Sequence, residues 1–261
     1  MNTTDLFSLT NRSALVTGGA KGIGRMITEG FLAQGAKVYI SSRSAQDCEA
    51  AADELGSSCI AIPMDVSTVE GCQALAKLYA ERESQLDILV NNAGVAWGAP
   101  FEEFPESGWD TVMDLNLKSP FFLAQALYKT MKAGASASTP AKIINIASID
   151  GIANNAWETY SYHASKAGLI HLTKRMAARL VEDHIYVSAI APGAFASRMN
   201  KAARDHGEEV AKIIPCGRIG EDEDMAAAAI YLASRAGNYV IGDTLVVDGG
   251  VTLGRAMSIA K

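Results

Sequence analysis

A chain of 261 residues with 49% hydrophobic content can bury a sizeable core, and it suits one large α/β domain better than two small ones. Its formal net charge of -6, with no extended Lys/Arg run, argues against nucleic acid or an anionic membrane as the main partner, although a small anion can still bind locally. Met1 to Leu9 has neither a basic start nor a long apolar stretch, and no segment approaches the ~18 apolar residues of a membrane span, so a cytoplasmic protein is expected. Cys48, Cys59, Cys72 and Cys216 share no metal or redox spacing, nor do His163, His171, His184 and His206, so no disulfide or metal site is expected.

In chain order, the first strand is Ala14 to Thr17. It runs into Thr17-Gly18-Gly19-Ala20-Lys21-Gly22-Ile23-Gly24 and an amphipathic stretch marked by Ile23, Ile27 and Phe31. Glycines at 18, 22 and 24 permit positive φ and close approach of a pyrophosphate to a helix N-terminus, which favours its charge. They can also serve a tight turn and nothing more, but the strand and helix flanks are those of a dinucleotide site. The second strand, Val38 to Ser41, leads into Ser42-Arg43 with no carboxylate, where an NAD site presents an acid to the ribose 2'-hydroxyl. Arg43 offers bidentate donors, Lys21 a second charge and Ser42 a hydroxyl, so NADP (NADPH) is the expected cofactor.

Further strands are expected at Cys59 to Ile62 and Ile88 to Val90. After Pro105 and Glu106, one long helical stretch through Met131 ends in the loop Gly134 to Pro140. The strand Ile143 to Ala147 delivers Ser148 to the edge of the sheet where open α/β folds bind ligands. Fourteen residues on stands Tyr162, with Lys166 one helical turn beyond it. Residues i and i+4 share a helix face, so the Lys166 ammonium is expected to favour the ionised phenol of Tyr162, which otherwise titrates near ~10. The spacing is not decisive alone, because Tyr128 and Lys132 repeat it on what reads as a solvated face. Leu169, Leu172, Met176 and Leu180 form a core-facing stripe, then come a strand at Tyr186 to Ile190, a second stripe at Met225, Ala228, Ala229 and Leu232, and a last strand at Thr244 to Val247. The alternation predicts a single Rossmann-like, doubly wound parallel sheet of about seven strands with helices on both faces, without internal repeat or linker.

The glycine loop, Asn91-Asn92-Ala93-Gly94, Ser148, Tyr162-His163-Ala164-Ser165-Lys166, Pro192-Gly193, Ile214-Pro215-Cys216-Gly217-Arg218 and Val247-Asp248-Gly249-Gly250, in that order, resemble the short-chain dehydrogenase/reductase family over nearly the whole chain. The resemblance implies that Tyr162 gives a proton to a carbonyl, Ser148 orients the substrate oxygen, and Lys166 holds the nicotinamide ribose while lowering the Tyr162 pKa. Asn116 resembles the residue that anchors a relay water at a helix kink. By the same resemblance the cofactor contacts are Gly18, Lys21, Gly22, Ile23, Gly24, Ser42 and Arg43, then Asp65 and Val66 at the adenine. Asn91, Asn92, Ala93 and Gly94 line the adenosine and ribose path. Tyr162, Lys166, Ile190, Pro192, Gly193, Phe195 and Ser197 surround the nicotinamide, Ser197 standing where Thr is usual.

Two departures stand out. The interval from Ser148 to Tyr162 is one residue longer than the usual thirteen, which implies a bulged loop; Tyr160 would shorten it but has no Lys four residues on. Likeness within the family is greatest to β-ketoacyl reductases, especially the rhamnolipid-associated type, through Ala96-Trp97-Gly98-Ala99, Ser107-Gly108-Trp109 and Ser197-Arg198-Met199. Yet Thr139 and Asp183 stand near the positions where such enzymes carry basic residues for docking acyl carrier protein. The expected activity is NADPH-dependent reduction of a ketone, with a 3-oxoacyl thioester as substrate and a homotetramer as the assembly. Trp97, Trp157, Phe195 and Met199, with Asp150 and Asn155, are expected around the reacting end. A free cyclic ketone, steroid-like alcohol or sugar is the alternative substrate, and a dinucleotide-sensing scaffold or a methyltransferase the alternative of another class.

Overall fold

The computed structural model describes residues 2–197 and 199–253; Met1 and Arg198, both quoted above, lie outside them. The short apolar runs become β1 (Ser13–Thr17), β2 (Lys37–Ser41), β3 (Cys59–Ala61), β4 (Ile88–Asn91), β5 (Ala141–Ile146), β6 (Ile185–Pro192) and β7 (Thr244–Val247). These pair in parallel in the order β3-β2-β1-β4-β5-β6-β7. Both faces of the central strands are covered, which is why they read as unbroken apolar runs rather than alternating ones. Ala14 and Val16 of β1 point into one core layer and Leu15 into the other.

The helices are α1 (Thr3–Phe7), α2 (Gly22–Ala33), α3 (Ala45–Leu55), α4 (Val69–Ala80), α5 (Glu106–Met113), α6 (Ser119–Gly134), α7 (Tyr160–Leu180), α8 (Lys201–Asp205), α9 (Gly207–Ala211) and α10 (Asp222–Ala233). Local chemistry starts several of them. The Ser44 hydroxyl accepts from the Asp47 amide at α3, Thr68 from Gly71 at α4, and Glu221 with Asp224 forms a capping box at α10. Met26, Ile27 and Phe31 of α2 join Met225, Ala228, Ala229 and Leu232 of α10 on one face of the sheet. Leu75 and Tyr79 of α4, Leu123 and Leu127 of α6, and Met176 of α7 fill the other.

The expected continuous helix from Pro105 to Met131 is instead two, joined by a π-helical turn at Asp114–Lys118. Asn116 on that turn is buried and bonds the backbone of Val95 at both its atoms, Oδ1 accepting from the Val95 amide and Nδ2 donating to its carbonyl, each 2.9 Å. Those bonds are long-range, so helical periodicity carries no trace of them. Pro120 tolerates the break because it sits in the first turn of α6, where a missing N–H costs little.

Candidate active site

A cavity of about 820 Å³ is lined by residues from the loops after β1, β2, β4, β5 and β6, at the C-terminal edge of the sheet. It spans the β1/β4 junction, where the strand order reverses and neighbouring crossovers leave in opposite directions.

The nucleotide half starts at the glycine loop. Gly18 has φ +66 and donates from its amide to the Ser41 carbonyl at 2.6 Å, which folds the loop back against β2. A Cβ on Gly24 would overlap the Gly18 carbonyl, so the start of α2 can lie this close to the loop only with glycine there. The Thr17 hydroxyl accepts from the amides of Asn92 and Ala93, each 3.0 Å, and Asn92 Nδ2 donates to the Thr17 carbonyl at 2.8 Å. The Asn92 side chain therefore binds two loops together. Arg43 is exposed along the cavity wall. Lys21 is paired with Asp47 in the first turn of α3, a partner the sequence reading did not give it. Asp65 lines the wall too, its carboxylate accepting from the Ser67 amide at 3.0 Å.

At the reacting half, β5 ends at Ile146 and Ser148 follows it, its Oγ accepting from the Asp150 amide at 3.1 Å. Helix α7 brings Tyr162 and Lys166 to the same place. Its register on the sheet is set by buried amides. Asn91 Nδ2 donates to Asn145 Oδ1 at 2.8 Å, and Asn145 Nδ2 donates to the Thr173 hydroxyl at 2.9 Å. Two turns closer to the cavity, Lys166 Nζ donates to the Ile146 carbonyl at 2.7 Å. The Tyr162 phenol and Ser148 line the same end of the cavity, and Lys166 Nζ lies 5.6 Å from the Tyr162 ring centroid.

Electrostatics here depart from the expectation. Burial pushes the Tyr162 phenol up to about 12, against a lowering contribution from Ser148 and with Asp150 raising it further. Burial also pushes Lys166 down to about 8. Desolvation disfavours the charge on both groups, and it is the largest influence on each.

The cavity gathers Ser148, Tyr162, Lys166 and every expected cofactor residue of the glycine, Ser42-Arg43, Asp65-Val66, Asn92-Ala93-Gly94, Pro192-Gly193, Phe195 and Ser197 groups. Asn116 stands behind the wall, its Nδ2 also donating to the Ser165 hydroxyl at 3.2 Å. Three expected lining residues are elsewhere: Asn91 spends its amide on Asn145, Ile190 belongs to the core, and Trp97 packs over Gly108, where a Cβ would come within 2.7 Å of the indole. Tyr160 faces Phe101 and Phe104 edge-on, with ring centroids at 5.6 Å, so it does not compete with Tyr162. The longer interval before Tyr162 becomes the turn Ile149–Gly151 and an irregular loop, held by Asn155 Nδ2 donating to Asp150 at 2.8 Å. Val210, Ile213 and Ile214 add an apolar wall that sequence reasoning missed, since α9 is too short to show a periodic stripe.

Tyr128 is half-buried and Lys132 exposed, so the pair lies on a solvated face as expected, where it takes part in a surface ion pair. Both donate to Asp183, at 2.9 and 2.6 Å, and Arg179 adds a third bond at 2.8 Å. Lys132, Tyr128 and Arg179 hold the Asp183 carboxyl far below the usual carboxylate range. Asp183 precedes β6 and Thr139 precedes β5, so both lie at the N-terminal edge of the sheet, opposite the cavity. Neither is among the residues that line the cavity. Among the described residues no three His, Cys, Asp or Glu side chains are grouped to hold a metal, the four cysteines are free, and no helix is long and apolar enough to cross a membrane.

A family model described as enoyl-(acyl carrier protein) reductase matches residues 18–252. The rhamnolipids biosynthesis 3-oxoacyl-[acyl-carrier-protein] reductase of Pseudomonas aeruginosa is 45% identical over 252 residues, 95% of this chain and 98% of that one. A solved Pseudomonas aeruginosa RhlG/NADP active-site complex superposes with a TM-score of 0.92 at 45% identity, covering 97% of this chain and 100% of the other. A gluconate 5-dehydrogenase from Burkholderia cenocepacia in complex with NADP and tartrate superposes with a TM-score of 0.89 at 33% identity, with the same coverage of 97% and 100%. With the fold, the site and these likenesses in agreement, the chain belongs to the short-chain dehydrogenase/reductase family.

Proposed function

We propose that the protein is an NADPH-dependent carbonyl reductase whose substrate is a 3-oxoacyl thioester and whose product is the 3-hydroxyacyl thioester. The observation that carries this reading is the meeting of Ser148, Tyr162 and Lys166 at one end of a cavity whose other end is the glycine loop with Arg43. The residues present suit the cofactor: the loop backbone is open to the cavity, Arg43 is exposed to it, and Ser41, Ser42 and Arg43 at the end of β2 include no carboxylate to repel a 2'-phosphate. The bound nicotinamide supplies the hydride that makes the new C–H bond at the ketone carbon. The carbonyl π electrons pass to oxygen, and Tyr162 transfers its phenolic proton there while Ser148 holds that oxygen by a hydrogen bond. Burial raises the Tyr162 phenol, which makes it a weaker acid, so proton transfer depends on the hydrogen bonding and charge that the bound cofactor and ketone oxygen bring to it. Lys166, anchored on the Ile146 carbonyl, is placed to hold the nicotinamide ribose. Asn116 acts from behind the wall as a positioning residue.

The substrate assignment draws on the 3-oxoacyl reductases among the relatives and on the apolar wall of Trp157, Met199 and Ile213. One continuous sheet supports reading residues 1–261 as one domain. The same proposal includes a cytoplasmic homotetramer: edge strand β7 and its approach expose Tyr239, Ile241 and Val246, an edge that a second copy would cover. NADPH oxidation measured with acetoacetyl-coenzyme A, neutral 3-oxo esters, cyclic ketones and keto sugars tests the assignment. Turnover confined to cyclic ketones or sugars would replace the thioester.

A further inference from the structure

Asp150 lies in the turn Ile149–Gly151 just beyond Ser148 and lines the cavity at its reacting end. Its carboxylate is half-buried and directed by the loop that presents Trp157: it accepts from Asn155 Nδ2 at 2.8 Å, and Asn155 Oδ1 in turn accepts from the Trp157 amide at 2.8 Å. Among the described residues no ion pair neutralises it, and its charge reaches the Tyr162 phenol. Burial raises its pKa, while the imidazole of His163 and the Asn155 amide favour the charged form. Of the cations near the reacting end, Lys166 is engaged with the Ile146 carbonyl, and Lys201 beside the substrate wall is exposed, where solvent and salt screen it.

Resting on the reductase reading above, we propose that Asp150 is a specificity-determining residue: it turns away ketones that carry a free carboxylate next to the reacting carbonyl and leaves neutral 3-oxo esters and thioesters as substrates. In a 3-oxo acid the carboxylate is separated from the ketone carbon by one methylene. Once the ketone oxygen is on Ser148 and Tyr162, that carboxylate is confined to the same end of the cavity as Asp150. Two like charges in a partly desolvated pocket repel strongly, whereas a thioester at the same position is of similar shape and carries no charge. The phosphates of a pantetheine arm lie at its far end and escape the effect.

The test uses ethyl acetoacetate and acetoacetate as a neutral and an anionic probe of the same ketone, with binding to the non-reacting enzyme–NADP+ complex followed by protein fluorescence and turnover by NADPH oxidation. The wild type is expected to bind the ester at least about tenfold more tightly than the acid. Asp150→Asn should narrow that ratio severalfold by tightening the acid, with the acid's KM falling more than its kcat changes, and Asp150→Glu should restore discrimination. Asp150→Ser provides a second neutral variant if the amide disturbs the loop. Equal binding of both probes by the wild type, or an unchanged ratio in both neutral variants, would overturn the gate. Absence of NADPH oxidation with every ketone would instead overturn the reductase reading, and the binding ratio would still decide the gate.

Discussion

Tyr162 and Lys166 are both driven toward their uncharged forms by burial, so the site holds its proton on the phenol rather than sharing a charge between the two groups. Tyr162→Phe keeps the ring and removes the donor. Turnover should fall by roughly 10²–10⁴-fold or more with NADPH affinity almost intact, as steady-state kinetics and a fluorescence titration would check. Arg43→Ala should weaken NADPH by roughly 1.5–3 kcal/mol and leave NADH nearly unaffected, because only the former has a 2'-phosphate to lose; equal weakening would reject the assignment. Lys142 is a case of burial without function in the site: it is 3% exposed, its Nζ has no hydrogen-bond partner, and burial next to Arg12 pushes it down to about 7. Below that pH the folded and unfolded chains are both charged at this residue, and the folded chain bears the full cost. Between about 7 and the ordinary 10.5 the unfolded chain binds more protons, so this residue makes stability rise with pH. Lys142→Met should therefore stabilise the protein at pH 6 by roughly 1–3 kcal/mol and flatten its pH dependence above 7, as urea melts across that range would reveal.

Among the elements, the π-helical turn and α7 illustrate how long-range bonds override local preference. Asn116→Ala would leave the Val95 amide and carbonyl without their partners, costing roughly 1–3 kcal/mol and loosening the wall behind Lys166. The readout that separates positioning from mere stability is a fall in kcat exceeding the change in ketone KM at a temperature where the variant is fully folded. Tyr128→Phe is the matched comparison for Tyr162→Phe, since its partner Lys132 repeats the i+4 spacing. It removes a bond to Asp183, so melting should shift slightly while turnover stays normal. The short interval at the glycine loop is readable from spacing alone, because Gly18, Gly22 and Gly24 act within one turn of chain. The partners of Asn145 are not, because Asn91 and Thr173 reach it from a neighbouring strand and from a helix.

At the scale of the molecule, seven parallel strands, the central ones buried on both faces, place the β-to-helix loops at one edge, and the cavity follows from that topology. The same topology separates Thr139 and Asp183 from the site by the length of β5 and β6. Asp183→Arg, attractive from the sequence as a way to recruit an acidic carrier, should instead put like charges against Lys132 and Arg179 and lower the melting temperature. The exposed β7 edge belongs to this scale too.

The order of strands and helices, the glycine turn and the placement of Ser148, Tyr162 and Lys166 were legible in the sequence, because each depends on periodicity or on spacing within an element and its adjoining loop. Helical spacing also singled out Lys166 as the partner of Tyr162. Tertiary structure decided what those groups experience. It paired Lys21 with Asp47, sent Tyr160 to Phe101 and Phe104, broke the long helix at Asn116 and reversed the expected direction of the Tyr162 shift. The physical reason is common to all four: burial and cross-chain partners act between residues far apart in sequence, and neither has a period that a one-dimensional pattern can carry.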